Sequence, residues 1–452
     1  MHLTLISVSE PNIYPQSFRR FVHTANLVLP VLASLTPPGV NIKMIDEAVY
    51  VKRPDYQDLK TDLAALSVRT SCANRAYEIS DRLRSRGIKT VLGGVHPTVL
   101  PEESKKHADA VVIGEAEPVW SEVIGDFRHN CLKSFYKGQA PPDLKNLLIP
   151  ERKLLQFPNR ALISFSTLQT SRGCPHNCSY CSVARVYGGK YRKRPVAEII
   201  KELHMLKNSN HFYPKLFSAC QDWLFFFLDD NLFSDKRYAK ELLRNLQPLK
   251  KKWYSQAPIS IAKDMELLEL AKLAGCLIFA IGFESVVRDS LTQVNKKFNN
   301  PDFYYEAVER IHRAGIMVGA SFVLGFDEDD TSVFEKTLRF AMQAGVDLAS
   351  FHILTPYPGT PFYDQIVKEN RLLVPVGSWQ KFDTQHVVFR PKKMAPQELQ
   401  QGFNWLWRQF TSLKSIRRRA KFTPHPLFFW PLNLFQNALF NASLVKLKSI
   451  SQ

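Results

Sequence analysis

The 452-residue chain has no run of about eighteen consecutive apolar residues, so nothing in it reads as a membrane-spanning helix. Its N-terminus, Met1 to Val8, lacks a basic leader and a small-residue cleavage site and reads as a strand. Seven cysteines, an odd number with three of them grouped, do not make a secreted disulfide framework. A cytoplasmic protein is expected. There is no second closely spaced pair of cysteines, which a structural zinc site would normally supply. Nor does any RNA- or DNA-binding motif accompany the excess of 60 Lys and Arg over 42 Asp and Glu, a net charge of +18. No nucleic-acid partner is expected. A hydrophobic share of 45% with 23% charged residues is that of a globular protein, and the length suggests two domains and an appendage.

Three cysteines are concentrated in Thr170–Ser182, where Cys174, Cys178 and Cys181 stand at the spacing C-x3-C-x2-C. They lie in a loop marked by Gly173 and Pro175, after an apolar run beginning at Ala161. Three thiolates on one centre suit an iron–sulfur cluster with one iron left open. The competing reading, buried small apolar side chains, fits poorly with Pro, Gly and polar neighbours. Cys72, Cys131, Cys220 and Cys276 are scattered and read as ordinary residues.

Short β-branched runs alternate with helical patterns on both sides of this loop. Before it, the expected strands are 3–8, 40–45, 63–68, 89–92 and 110–113, with helices over 18–35, 73–86 and 118–127. This alternation gives an α/β, flavodoxin-like (Rossmann-like) parallel sheet over residues 1–130. Residues 131–160, with Pro141-Pro142 and Pro150, form a linker. From 161 to 375, expected strands at 162–168, 224–228, 259–262, 277–281, 318–323 and 350–354 make a partial (β/α)6 TIM-type barrel. Residues 376–452 are a helical C-terminal extension, in which Leu399, Phe403, Leu406, Phe410 and Leu413 form one apolar stripe expected to pack over the barrel mouth.

Ligands of parallel sheets gather at the carboxyl ends of the strands. In the first domain those ends carry Thr70 and Ser71, then Gly93, Gly94, His96 and Thr98, then Gly114 and Glu115. In the barrel they carry the cysteine loop, Asp229-Asp230-Asn231, Glu284-Ser285 and Gly325. Each is individually compatible with a turn or a helix cap.

Together these segments resemble the B12 (cobalamin)-binding radical SAM family, in the branch containing the hopanoid methylases. Cys174-x3-Cys178-x-Tyr180-Cys181 matches the loop that binds a 4Fe–4S cluster chelated by S-adenosylmethionine (SAM), with Tyr180 at the aromatic position. Val91–Thr98 and Ile113–Glu117 are similar to that family's cobalamin domain. The resemblance implies SAM contacts at Asp229, Asp230, Glu284, Ser285 and Gly325. It implies cobalamin contacts at Thr70, Ser71, Gly93, Gly94, His96, Thr98, Gly114 and Glu115. The D-x-H-x-x-G motif that offers histidine to cobalt is absent, so His96 is not that ligand by motif, and the 70–75 loop is expected beneath the metal. The implied activity is methylation of an unactivated carbon of a small-molecule or lipid-like substrate, with an electron donor such as flavodoxin or ferredoxin. Two alternatives stay open, a cyclase or oxidoreductase on the same cofactors and a non-catalytic sensor. Lys414, Arg417–Arg419 and Lys421, followed by Pro426–Leu432, are compatible with peripheral contact to an anionic inner-membrane surface. The insertion at 208–222 departs from the family pattern.

Overall fold

The computed structural model describes residues 1–9, 22–24, 26–50, 53–155, 163–207 and 224–450. The first strands along the chain are β1 (His2–Ser7), β2 (Val22–Thr24), β3 (Asn41–Asp46), β4 (Leu63–Ser67), β5 (Lys89–Gly93), β6 (Ala110–Ile113) and β7 (Phe135–Lys137). All but β2 form one parallel sheet in the order β3-β1-β4-β5-β6-β7. The near-continuous apolar runs follow from burial on both faces. Leu3, Leu5, Leu63, Ala65 and Val91 face the helices Val28–Leu35 and Trp120–Arg128. Ile6, Ala64, Leu66 and Leu92 face the helix Ala73–Ser85 and also Trp379, Phe382 and Val388, which arrive from beyond the barrel.

The remaining strands are β8 (Ile163–Leu168), β9 (Ser171–Arg172), β10 (Arg192–Lys193), β11 (Leu224–Phe227), β12 (Lys252–Ala257), β13 (Cys276–Glu284), β14 (Met317–Leu324) and β15 (Leu348–Ile353). Six of them make the open parallel barrel in the order β15-β14-β13-β12-β11-β8, with β2 added beside β8. Four features differ from the sequence expectation. The third barrel strand is Lys252–Ala257, while Ile259–Lys263 is a 3-10 turn. Its alternation of buried Trp253, Ser255 and Ala257 with more open Tyr254 and Gln256 was masked by the lysines before it. The pattern expected as one helix over 18–35 contains β2, which crosses to the barrel, and the helix Val28–Leu35; positions 18–21 and 25 lie outside the described residues. The first sheet continues past residue 130 into β7, and the linker is docked, Arg152 bonding Glu202 and the Thr167 carbonyl. The region at 208–222, Cys220 included, lies outside the described residues, as do Ala161 and Leu162.

Alternation divides the barrel cleanly. Phe279, Ile281, Phe283, Phe322, Phe351 and Ile353 point outward into the main apolar core under the helices. The opposite positions, Phe226, Tyr254, Ala280, Gly282, Gly319, Ser321, Ser350 and His352, are all only partly buried, so the lumen is open rather than filled. The helix Pro396–Thr411 buries Leu399, Phe403, Leu406 and Phe410 but leaves Leu413, beyond its end, exposed. It packs beside β15 and the helix Ser332–Gln343 rather than across the mouth, with Trp407 and Phe410 edge-on to Phe351. The helices Leu413–Arg419 and Pro426–Ile450 close the other end of the barrel, where Ile416 and Phe429 meet Met317 and Ile278. Arg419, expected in a basic surface run, is fully buried and bonds the carbonyls of Val346, Asp347 and Phe410 and the side chain of Asn433. Among the described residues no helix is long and apolar enough to cross a membrane.

Candidate active site

The cysteine loop leaves β8 at its carboxyl end, and the polar groups around it fix its shape. Thr170 and Ser171 each donate a backbone N–H and a hydroxyl to Asp229. Asp229 is fully buried, and burial pushes its pKa up to about 6 against the pull of those donors. Asp230 accepts the Gly173 N–H at 2.8 Å. Gly173 has φ +85°, and a Cβ there would stand 2.1 Å from the Lys190 carbonyl oxygen, so only glycine lets β9 and β10 pair at this point. Farther along, Ser179 donates its N–H to Val294 and accepts that of Phe362. His176 stacks on Phe298 at 3.9 Å, and Tyr180 meets Phe326 edge-on.

This frame presents three unbridged thiols, Cys178 buried and Cys174 and Cys181 half-buried. Burial pushes Cys178 up to about 11 and also raises Cys181, while the ammonium of Lys296 acts in the opposite direction on both. The bare loop therefore holds protons that must leave when iron binds. Among the described residues no three His, Cys, Asp or Glu side chains gather around a single ion. Three thiols spread over one loop fit a 4Fe–4S cluster, in which each thiolate meets a different iron and one iron stays open. Beside them Asn231 donates to the Cys174 sulfur at 3.7 Å, while its own buried Oδ1 has no partner. An unmet buried acceptor here fits the ammonium group of a SAM chelated to the open iron.

The structure separates the expected SAM contacts. Asp229 is engaged in holding the loop and is sealed from the mouth; Asp230 is only partly buried. Glu284 lies at a bulge in β13 with φ +62° and pairs with Lys296, near Tyr180 and Cys178. Ser285 is buried, its hydroxyl accepting the Val287 N–H as a local turn. Gly325 has φ +96°, and a Cβ there would strike Leu399 at 2.6 Å, so the packing of a C-terminal helix, rather than a bound adenosine, accounts for this glycine. Asn231 and Lys296 carry no motif of their own, and the sequence gives a signal only for the first, through its place in the Asp-Asp-Asn strand end.

The first domain divides in the same way. His96 is wholly buried, its Nε2 2.9 Å from the Tyr77 hydroxyl and its ring edge-on to Trp379, so it is a core histidine and does not reach the mouth. Thr70 and Ser71 are buried in a 3-10 turn. Gly94 passes over β4, where a Cβ would lie 2.9 Å from the Val68 backbone. Thr98 staples two loops, its hydroxyl donating to the Gly94 carbonyl and accepting the Gly114 N–H. Gly93, Gly94, Thr98 and Gly114 are partly open, and at Gly114 a Cβ would meet nothing within 4 Å. An open backbone edge at the ends of adjacent parallel strands fits a bulky cofactor such as cobalamin.

Glu115 has another engagement. Arg172, two residues before Cys174, pairs with Glu115 and Glu117, and Arg192 also pairs with Glu115, all at 2.6 Å with little exposure. The loop expected to touch cobalamin thus grips both strands that frame the cysteine loop. Gly359 and Val99 meet nearby, so the carboxyl ends of the two sheets face each other.

Comparison with known proteins agrees with this geometry. Residues 168–341 match the radical SAM superfamily, and residues 39–124 match the B12 binding domain. The bacteriochlorophyllide d C-12(1)-methyltransferase of Chlorobaculum tepidum is 31% identical over 91% of this chain and 88% of its own. The hopanoid C-2 methylase of Rhodopseudomonas palustris is 25% identical over 80% of this chain and 69% of its own. The solved cobalamin-dependent SAM radical enzyme OxsB superposes with a TM-score of 0.70 at 15% identity, covering 92% of this chain and 68% of that one. The chain belongs to the cobalamin-dependent radical SAM enzymes, which use a 4Fe–4S cluster, SAM and cobalamin.

Proposed function

We propose that this enzyme methylates an unactivated carbon at the edge of a planar, chlorin-type tetrapyrrole. The relation to the bacteriochlorophyllide methyltransferase supports the reading, because it spans 91% of this chain and so takes in both cofactor domains. When bound, the cluster supplies the electron that cleaves SAM, and cobalamin supplies the methyl group. The chain's own residues bind and orient. Cys174, Cys178 and Cys181 hold the irons, Asn231 Oδ1 receives the SAM ammonium, and Gly93, Gly94, Thr98 and Gly114 offer backbone to cobalamin. Arg172 and Arg192, locked on Glu115, keep the two sets of loops in register so that both cofactors share one water-poor mouth. The test is anaerobic reconstitution followed by SAM, reductant and a magnesium chlorin. Formation of both 5′-deoxyadenosine and S-adenosylhomocysteine is expected; deoxyadenosine alone would indicate a cyclase-type reaction, and neither product would leave a sensor.

Exposed charge supports two partners. Arg185 and Lys190 are exposed beside the cysteine loop, a cationic edge suited to an acidic electron donor such as flavodoxin or ferredoxin. At the far end, exposed Lys414, Arg417, Arg418 and Lys421 adjoin exposed Leu427, Phe428, Trp430 and Leu434, a pairing suited to an anionic bilayer surface. Truncation would strip Arg419 and Phe429 from the barrel, so the test is charge reversal of Lys414, Arg417, Arg418 and Lys421. Loss of sedimentation with anionic liposomes is expected; unchanged binding would remove the membrane from the account.

A further inference from the structure

One lumen residue is not among those assigned above to the cluster, SAM or cobalamin. On β15, Phe351 and Ile353 are buried outward, so the intervening His352 projects into the lumen, in register with Val323 of β14. Its Nδ1 lies 3.1 Å from the Thr384 hydroxyl. Thr384 has φ +65°, a left-handed conformation that is unfavourable for a β-branched residue and marks sites where the surroundings impose a geometry. It is held there by the Ile353 N–H, which donates to its carbonyl at 2.8 Å. Neighbouring Phe382 and Val388 are anchored in the core of the cobalamin domain. His352 Nε2 takes no hydrogen bond among the described residues and is not one of the atoms sealed from solvent, so it faces the open lumen. Burial lowers the pKa of the ring, with Glu284 opposing, which favours neutral imidazole, the form that ligates metals. In the tautomer whose Nδ1–H donates to the Thr384 hydroxyl, the lone pair lies on Nε2.

The walls suit a flat occupant. Phe226 and Tyr254 stack in parallel at 4.1 Å and 6°, and the small, partly buried Ala280, Ser321 and Ser350 keep the facing positions of β13, β14 and β15 free of bulk. We propose that His352 Nε2 binds the central divalent metal of a tetrapyrrole substrate as its axial ligand, so that the enzyme selects the metallated ring over the metal-free one. The proposal rests on the tetrapyrrole reading above. Only a coordination bond forms, from the imidazole lone pair to an open axial site, and no electron or proton is exchanged.

Titration of the full chain with a zinc chlorin and with the same chlorin lacking metal separates the two ideas, using absorbance alone. The wild type is expected to bind the zinc chlorin at least about tenfold more tightly, with the band shift of a five-coordinate metal. His352→Phe should abolish that preference and shift while leaving metal-free chlorin binding unchanged. His352→Ala should recover the shift when imidazole is added, and Thr384→Val should weaken the preference without removing it. A merely structural histidine would alter thermal stability but not metal discrimination. Equal binding of the two rings by the wild type, or discrimination surviving in His352→Phe, overturns the proposal and leaves the tetrapyrrole reading standing. Failure to bind either ring overturns both.

Discussion

The strand ends of the barrel and those of the first domain use similar polar and glycine-rich loops for different ends. In the barrel, Asp229 is buried and receives four donors from Thr170 and Ser171, whereas Asn231, two residues on, keeps a buried acceptor unmet beside Cys174. In the first domain, His96 is closed into the core while Gly114 opens onto empty space. A polar residue at a strand end is therefore not by itself a ligand. Asp229, satisfied by protein donors, shapes the site, whereas the open backbone at Gly114 and the unmet Oδ1 of Asn231 are the groups proposed to meet the cofactors. An unmet atom alone does not mark a ligand, since the buried Nδ1 of His96 also lacks a partner among the described residues. Glu115 belongs to neither group: it joins the two sets of loops through Arg172 and Arg192.

Substitution should separate these classes. Replacing Cys174, Cys178 and Cys181 together by Ala should eliminate the broad iron–sulfur absorbance and all SAM cleavage; persistence of either would break the assignment. In the wild type, cluster loading should fall as pH is lowered, because the raised thiols of Cys178 and Cys181 must lose protons on ligation. The slope should reach about tenfold per pH unit for each thiol, read by iron content after reconstitution. Asp229→Ala leaves buried donors unpaired at about 1–3 kcal/mol each, so iron content should drop severely together with denaturant stability. Glu115→Gln combined with Glu117→Gln breaks nearly buried ion pairs, each break costing about 3–5 kcal/mol. Cluster absorbance should largely survive in that variant, while methyl transfer falls relative to 5′-deoxyadenosine release. Smallest is Asn231→Ala, expected to weaken SAM binding about tenfold through one lost hydrogen bond with iron content unchanged, as calorimetry would read.

Much of this was legible in the chain itself. The spacing of Cys174, Cys178 and Cys181 and the repeated strand–helix alternation led to both domains, because thiolate geometry and double-sided burial leave local patterns. What escaped depends on distant partners. β2 looks like part of a helical segment until it pairs with β8. Trp379 and Phe382 look like barrel extension until they pack against the first sheet. Arg419 reads as surface charge because nothing in Arg417-Arg418-Arg419 distinguishes the one that caps the carbonyls before β15. The pairing of His352 with Thr384 depends on a backbone sign, φ +65° at a threonine, for which the sequence offers no cue.

The central claim, that one mouth joins SAM cleavage to methyl transfer, is tested most directly by product mass. Reconstituted enzyme supplied with cobalamin, reductant, a metallated chlorin and SAM bearing a trideuterated methyl group should yield a chlorin heavier by one labelled methyl. A chlorin altered in mass without the label, while SAM is still cleaved, would contradict the account.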